Sequence, residues 1–377
     1  MYDSIIIGSG FTGAVIAHEL ARKNKKVLLL EKRPSVGGNT YEEVDKNGIR
    51  VHAYGPHIFH TNSQEVFDYL KQYAEWYFYE HTVVGHIDGK LIPIPFNFKS
   101  IELIFNKEKS DTIKAKLLKF FPNKNKVSIL ELIDHKDKII KEFGGFVYEK
   151  VFANYTAKQW EMSVKDIDTS VINRVPVILG YDNRYFQDKY QFMPKNGYNE
   201  IFENLLNNKN ITIKLNTDAK DLIKIKDNKI FYDGKEFKGN LIYTGLIDEL
   251  FDYEYGKLPY RSLRFEFENY KMNYFQPNSV VNYPNEHKYT RITEFKYLTN
   301  QQSDTTTILK EYPQQYNGTN IPYYSISNED NNKLYEKYRE KAKEIPGLYM
   351  CGRLAEYKYY NMDQVILRAL EIIKEIK

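Results

Sequence analysis

Over 377 residues, 42% hydrophobic and 28% charged side chains describe a globular protein rather than a disordered one, and no apolar run approaches a membrane span. The net charge of +4 comes from lysines spread among acids over the whole length, which leaves no basic stripe for nucleic acid. A lone cysteine, Cys351, excludes an intramolecular disulfide and a cysteine-built metal cluster, and reads as a small buried filler beside Gly352.

The chain opens on an apolar strand, residues 5–7, with no basic n-region or cleavage site, so a cytoplasmic location is expected. Next come Gly8-Ser9-Gly10-Phe11-Thr12-Gly13, a helical pattern to Leu20, a second apolar run over 27–30, and Glu31. This strand, turn, helix and strand form a dinucleotide site. Gly8 permits the tight turn, Gly10 lets backbone approach a pyrophosphate, Gly13 allows close packing of helix on strand, and Glu31 suits ribose hydroxyls. Lys32, Gly38 and Asn39 continue the motif beyond what a simple nicotinamide site needs, which favours a flavin dinucleotide.

Residues 51–61 read as a strand end feeding a loop, 63–73 as a helix capped by Ser63, and 83–95 as a hairpin around Asp88-Gly89 with Pro93 and Pro95 near an edge. Residues 99–172 are Lys-rich with helical spacing. Residues 173–193 carry arginines and aromatics at strand-like spacing, 198–206 form a helix, and 211–215, 222–225, 230–232 and 241–245 are short strands. Alternation over 260–312 suggests an antiparallel sheet, and 348–376 returns to strand, turn and helix.

The fold expected is α/β: a discontinuous Rossmann-like FAD-binding domain (1–78, 194–247 and 343–377), with an inserted helical domain (99–172) and an inserted antiparallel β-sheet domain (79–98, 173–193 and 248–342). Among 33 tyrosines and 22 phenylalanines, some rings would serve nucleotide and sugar recognition, and most the core. Metal binding by His52, His57 and His60 lacks a carboxylate at ligand spacing, so no metal site is expected.

Several strings read together carry a resemblance: Gly8 to Glu31, residues 54–61 (YGPHIFHT), 155–160 (YTAKQW), Arg174-Val175-Pro176, Tyr185-Phe186, Tyr289-Thr290-Arg291 and 352–365 (GRLAEYKYYNMDQV). Spread over the whole chain, they resemble the bacterial UDP-galactopyranose mutases. The resemblance implies FAD, active in its reduced form, whose N5 attacks the anomeric carbon of UDP-galactopyranose; the sugar recloses as a furanose with no net redox. It implies that Arg174 and Arg291 hold the diphosphate, with guanidinium forks matched to phosphate oxygens. Tyr155, Trp160, Tyr185, Tyr312, Tyr359, His81 and Asn282 would line the substrate pocket. His57 would lie beside the flavin ring, joined by Ile58, with Gly352, Arg353, Tyr359, Asn361, Met362 and Val365 clasping the cofactor from the C-terminal end. His60 reads as a packed structural residue.

By the same resemblance the partners are a UDP-sugar, NAD(P)H or flavin as reductant and a second copy of the chain, without membrane insertion, in galactofuranose biosynthesis for cell-surface polysaccharide. Asn361, His81, Glu161 and Ile178 depart from the commonest pattern, which leaves UDP-N-acetylgalactosamine or dTDP-fucose as alternative substrates. An amine-oxidase-like flavin oxidoreductase and a non-catalytic nucleotide-binding module are the readings from other classes.

Overall fold

A computed structural model describes residues 2–155, 158 and 176–376. Among the described residues a five-stranded parallel sheet runs in the order Ile211–Lys214, Val27–Leu30, Ser4–Ile7, Asn240–Tyr243 and Leu348–Met350. Both regions near the chain ends therefore contribute to one sheet, which is the discontinuous Rossmann-like architecture expected. Successive side chains of a strand point to opposite faces, and here each face has its own core. Ile6, Leu29 and Ile242 pack with the helices Phe11–Arg22, Tyr198–Leu206 and Met362–Glu375. Ile5, Leu28 and Leu241 pack on the other side with the helix Glu329–Lys343 and the small sheet that contains Ile223 and Ile230. Burial on both faces explains why Val27 to Leu30 is apolar at every position.

A second sheet has seven strands: Tyr324–Ser325, Tyr260–Tyr270, Thr306–Gln315, Arg291–Glu294, Val280–Asn282, Val83–Ile87 and Lys90–Ile94. The hairpin expected around Asp88-Gly89 forms, with φ of 48° and 77° as a tight two-residue turn requires, and Pro93 lies on the edge strand. The sheet is not wholly antiparallel. Val280–Asn282 runs parallel to Val83–Ile87, because these strands come from distant segments and no hairpin fixes their direction. A short helix, Phe295–Thr299, also interrupts the expected alternation.

Helices Phe98–Ile104, Lys107–Phe120, Ile129–Ile133 and Lys138–Val147 stand over this sheet, started by the side chains of Asn97, Asn106, Ser128 and Asp137. Their apolar faces share one core with the sheet, where Ile113, Leu117, Leu132 and Phe143 meet Val83, Ile94 and Val280. The strand-like reading of residues 173–193 is corrected for the described part, which holds only Val177–Ile178 and Tyr190–Pro194. Between them pairing is reduced to an isolated antiparallel bridge of Arg184 with Thr82, while the Arg184 N–H and guanidinium bond back to Asp182. Among the described residues no helix is long and apolar enough to cross a membrane.

The seating of the first helix is tight: a Cβ on Gly13 would lie 1.9 Å from the Gly8 carbonyl oxygen. Gly13→Ala is expected to cost at least about 2 kcal/mol in urea unfolding, from the overpacking alone. Unchanged stability would show that helix and strand are not this close.

Candidate active site

The C-terminal ends of the five parallel strands converge on a cavity of about 480 Å³. Glu31, Gly8, Thr217, Thr244 and Gly352, each just beyond one of those ends, all line it, as ligand crevices of open α/β sheets do. Of the residues expected to bind cofactor, Gly8, Gly10, Phe11, Thr12 and Gly13 form the floor, with Glu31, Lys32, Gly38 and Asn39 beside them. His57, Gly352, Arg353, Asn361, Met362 and Val365 also line the wall. Ile58 and Tyr359 do not: Ile58 packs into the core behind, and Tyr359 stacks on Tyr324 with ring centroids 5.8 Å apart.

The floor suits a polyanionic dinucleotide for concrete reasons. Gly10 caps the helix Phe11–Arg22 without a side chain, so the first-turn N–H groups have no capping oxygen. Gly38 has φ of +56°, and a Cβ there would come within 2.9 Å of Gly10 Cα, so two backbones meet where any side chain would intrude. Arg33 lies 3.9 Å over the Tyr54 ring and donates to Asn39 Oδ1, while its buried Nη1 has no protein acceptor among the described residues. An anion in the cavity would satisfy that donor. Glu31 accepts from Ser9 N–H at 2.9 Å, Ser9 Oγ–H at 2.6 Å and Arg33 N–H at 2.9 Å. It locks the glycine turn to the second strand and keeps roughly one of its four acceptor positions for a ribose hydroxyl. Arg353 donates to the carbonyls of Tyr360 and Tyr323, which aligns the turn after the last strand.

Beside the cavity a second polar cluster is built on the large sheet. Arg291 stands opposite both Glu311 and Asn282, so the three side chains share one face. Arg291 Nε donates to Glu311 Oε1 at 2.5 Å. Burial alone would lower the Arg291 pKa; the Glu311 carboxylate outweighs it and holds the guanidinium above its ordinary value. Tyr155 is half-buried near Arg291, Tyr185 and Tyr324, and its partial removal from water pushes its hydroxyl pKa up, so it is a donor at neutral pH. His81, 3% exposed, sits among the rings of Tyr79, Tyr185 and Phe186, and Tyr185 N–H donates to its carbonyl at 2.7 Å.

Tyr312 does not join this cluster. It follows Glu311 by one residue and so points to the other face of the sheet, where its ring lies 3.9 Å under the Arg264 guanidinium and packs on Tyr289. The tyrosine that does reach the cluster is Tyr324, within the field of Arg291 and Arg353 and stacked on Tyr359. Sequence reading missed it, along with Arg33, Thr217 and Tyr323, although the strand ending near residue 215 could have indicated Thr217. Trp160 and Arg174 lie outside the described residues. His60 is packed as expected, stacked on Phe186 and paired with Asp188 at 2.5 Å. Cys351 is fully buried, and burial raises its thiol pKa. Among the described residues no group of histidines, cysteines and acids could hold a metal ion.

The family model described as UDP-galactopyranose mutase matches residues 150–359, and that of an NAD(P)-binding Rossmann-like domain matches 6–73. A UDP-galactopyranose mutase of Mycoplasma pneumoniae is 34% identical over 98% of this chain and 94% of its own length. A dTDP-fucopyranose mutase of Escherichia coli is 36% identical over 98% and 97%. Among solved structures, a reduced UDP-galactopyranose mutase superposes with a TM-score of 0.73 at 16% identity, covering 100% of this chain and 93% of its own. A putrescine oxidase bound to putrescine superposes with a TM-score of 0.61 at 10% identity, covering 99% and 98%, a likeness of fold alone.

His57 and His81 share an electrostatic signature that can be measured. Burial holds both at about 3, assisted by His52 and Arg353 at His57 and by Arg291 at His81. In the unfolded chain each takes a proton near pH 6.5, so there the unfolded state binds more protons. Their contribution to stability is therefore whole above about pH 6.5 and is lost as pH falls toward 3, by about 1.4 kcal/mol per pH unit for each histidine. Urea unfolding between pH 7 and 5 should show this decline, and His81→Asn should make it shallower; equal slopes would mean that His81 titrates normally.

Proposed function

Since the chain belongs to the UDP-galactopyranose mutase family, we propose that it interconverts UDP-galactopyranose and UDP-galactofuranose with FAD held along the cavity at the strand ends. The observation that carries this reading is the juxtaposition of two sites: His57 lines the dinucleotide cavity and lies within the field of Arg291, which belongs to the phosphate-suited cluster on the other sheet. Bound in its reduced form, FAD supplies a nucleophilic nitrogen for the anomeric carbon and is recovered unchanged, so sugar conversion consumes no electrons.

The protein's share is binding, orientation and control of charge. The Gly8 to Gly13 turn, the first helix N-terminus and Arg33 hold the cofactor's pyrophosphate, while the start of the helix Met362–Glu375 favours negative charge on the reduced ring. The Asn361 N–H at that end is occupied by Gln364 Oε1 and the Gln364 N–H by Asp363 Oδ1, each at 2.8 Å, which leaves the N–H groups of Met362 and Asp363 as the donors for an anion. Arg291, with Arg174, grips the diphosphate as it leaves and returns. Glu311 occupies Nε, and the remaining donors of the guanidinium fork belong to its two terminal nitrogens. Tyr155, Tyr185, Tyr324 and Tyr359 donate hydroxyls around the substrate, with Tyr324 taking the role expected of Tyr312, while Trp160, Asn282 and His81 complete the pocket. The protein works in the cytoplasm as a homodimer and is armed by NAD(P)H or a reduced flavin.

A second substrate reading, dTDP-fucopyranose, is favoured by one observation: the mutase of that name is 36% identical, as similar as the UDP-galactopyranose mutases at 34% and 36%. Assays of UDP-galactopyranose, UDP-N-acetylgalactosamine and dTDP-fucopyranose side by side separate the two.

Arg291→Ala is expected to lower turnover by roughly 10²-fold or more while the flavin absorbance of the purified protein is retained. Near-normal turnover in that variant would remove the assignment. Tyr324→Phe should lower kcat/KM by about tenfold or more, the worth of one hydrogen bond to a charged group, whereas Tyr312→Phe should stay near wild type. The reverse ranking would restore Tyr312 to the pocket.

A further inference from the structure

His57 is clamped at both ends of its own backbone, and both clamps lead to one carboxylate. Its N–H donates to His52 Nδ1 at 2.9 Å, and its carbonyl accepts from the Tyr198 hydroxyl at 3.2 Å. His52 Nε2 lies 3.1 Å from Glu42 Oε1, while Glu42 Oε2 accepts the Tyr198 N–H at 2.7 Å. His52 is 0% and Glu42 3% exposed. Glu42 begins a strand two residues after the Gly38–Thr40 turn, which itself lines the cavity.

These partners dictate where the protons sit. A backbone N–H can only donate, so His52 Nδ1 must be bare and the ring proton belongs on Nε2, which lies against the carboxylate without being aligned for a hydrogen bond to it. The ring of His57 obeys the same rule with the opposite outcome. Its Nδ1 is 2.8 Å from the Gly55 carbonyl, which can only accept, so Nδ1 carries the proton and Nε2 is left as an acceptor. Apolar residues of the same volume could fill this space as well as a buried carboxylate and imidazole; what the polar pair adds is direction.

We propose that Glu42 and His52 are positioning residues for the reaction, holding the His57 turn in one register and presenting His57 Nε2 to the cavity as an acceptor rather than a donor. The proposal rests on the reading of that cavity as the flavin site. Glu42 and His52 act only through His57.

Glu42→Gln keeps the shape and replaces one acceptor by an NH₂ donor. In one rotamer that donor meets the Tyr198 N–H; in the other it meets His52 Nε2 and drives the ring proton onto Nδ1, against the His57 N–H. His52→Asn and His52→Gln divide the same contact, since the Asn oxygen reproduces an acceptor at Nδ1 and the Gln amide reproduces a donor at Nε2.

The test uses the flavin-loaded protein, with ¹⁵N-labelled histidine to read tautomers by NMR and UDP-galactopyranose to read turnover. The wild type should show His52 protonated at Nε2 and His57 at Nδ1, and Glu42→Gln should change the His52 pattern. In Glu42→Gln, kcat should fall by about tenfold or more, as misplacement of a contact residue does, with KM within about twofold. His52→Asn should retain more turnover than His52→Gln, and this ranking carries the test should Glu42→Gln fail to fold; a merely structural pair would give no such order. His52 protonated at Nδ1 in the wild type, or Glu42→Gln and His52→Gln variants with unchanged kcat, would overturn the clamp while wild-type turnover persists. Absence of wild-type turnover on every sugar nucleotide would instead overturn the reading of the cavity, and with it the catalytic half of the proposal, whatever the tautomers show.

Discussion

Between the Gly8 carbonyl and the first turn of the helix Phe11–Arg22 there is no room for a methyl group, and the geometry of the cavity descends from that contact. It seats the helix N-terminus directly on the end of the first strand, so that unbonded N–H groups face the crevice where the parallel strands end. It also brings Gly10 against Gly38, and through the Gly38–Thr40 turn to Glu42 and the pair behind His57. A constraint on one backbone atom thus reaches the histidine at the far wall. Glu31 secures it from the other side by accepting both Ser9 donors.

The large sheet answers a different requirement. The diphosphate of the proposed substrate needs fixed positive charge, and a guanidinium partly withdrawn from water persists best beside a carboxylate that offsets that loss. Glu311, 2% exposed, fills that need for Arg291 and aims it by holding Nε. The two sites meet at His57, which the protein keeps neutral by burial and by neighbouring positive groups. A neutral ring with Nδ1 engaged by Gly55 can accept at Nε2 and adds no charge to the cavity.

What was legible in the sequence was local or periodic. The glycine turn, its helix and the flanking strands lie within residues 4–30, where Gly13 is required by the nearby Gly8 carbonyl and Ile6, and the hairpin at Asp88-Gly89 follows from two residues that tolerate positive φ. The discontinuous sheet was readable because apolar runs buried on both faces look alike wherever they occur. Long-range pairing was not. Nothing local tells Val280–Asn282 to lie parallel to Val83–Ile87, and a shift of one residue decides which face a tyrosine takes. Nothing next to Tyr312 (Glu311, Pro313) or Tyr324 (Tyr323, Ser325) tells which of them joins the cluster; only the register of Glu311 opposite Arg291 shows that Tyr312 must point away. The pair Glu42 and His52 was illegible for the same reason, since the contact that gives it meaning runs through the backbone of His57.

On the proposed function a flavin held at the strand ends is armed once and then serves many sugars. The most direct test is the number of sugar nucleotides isomerised per reducing equivalent, measured anaerobically with the protein reduced once and supplied with UDP-galactofuranose. Many turnovers per flavin, with no further reductant or acceptor consumed, are predicted. One electron pair consumed for each sugar converted would contradict the account and return the chain to ordinary flavin redox chemistry.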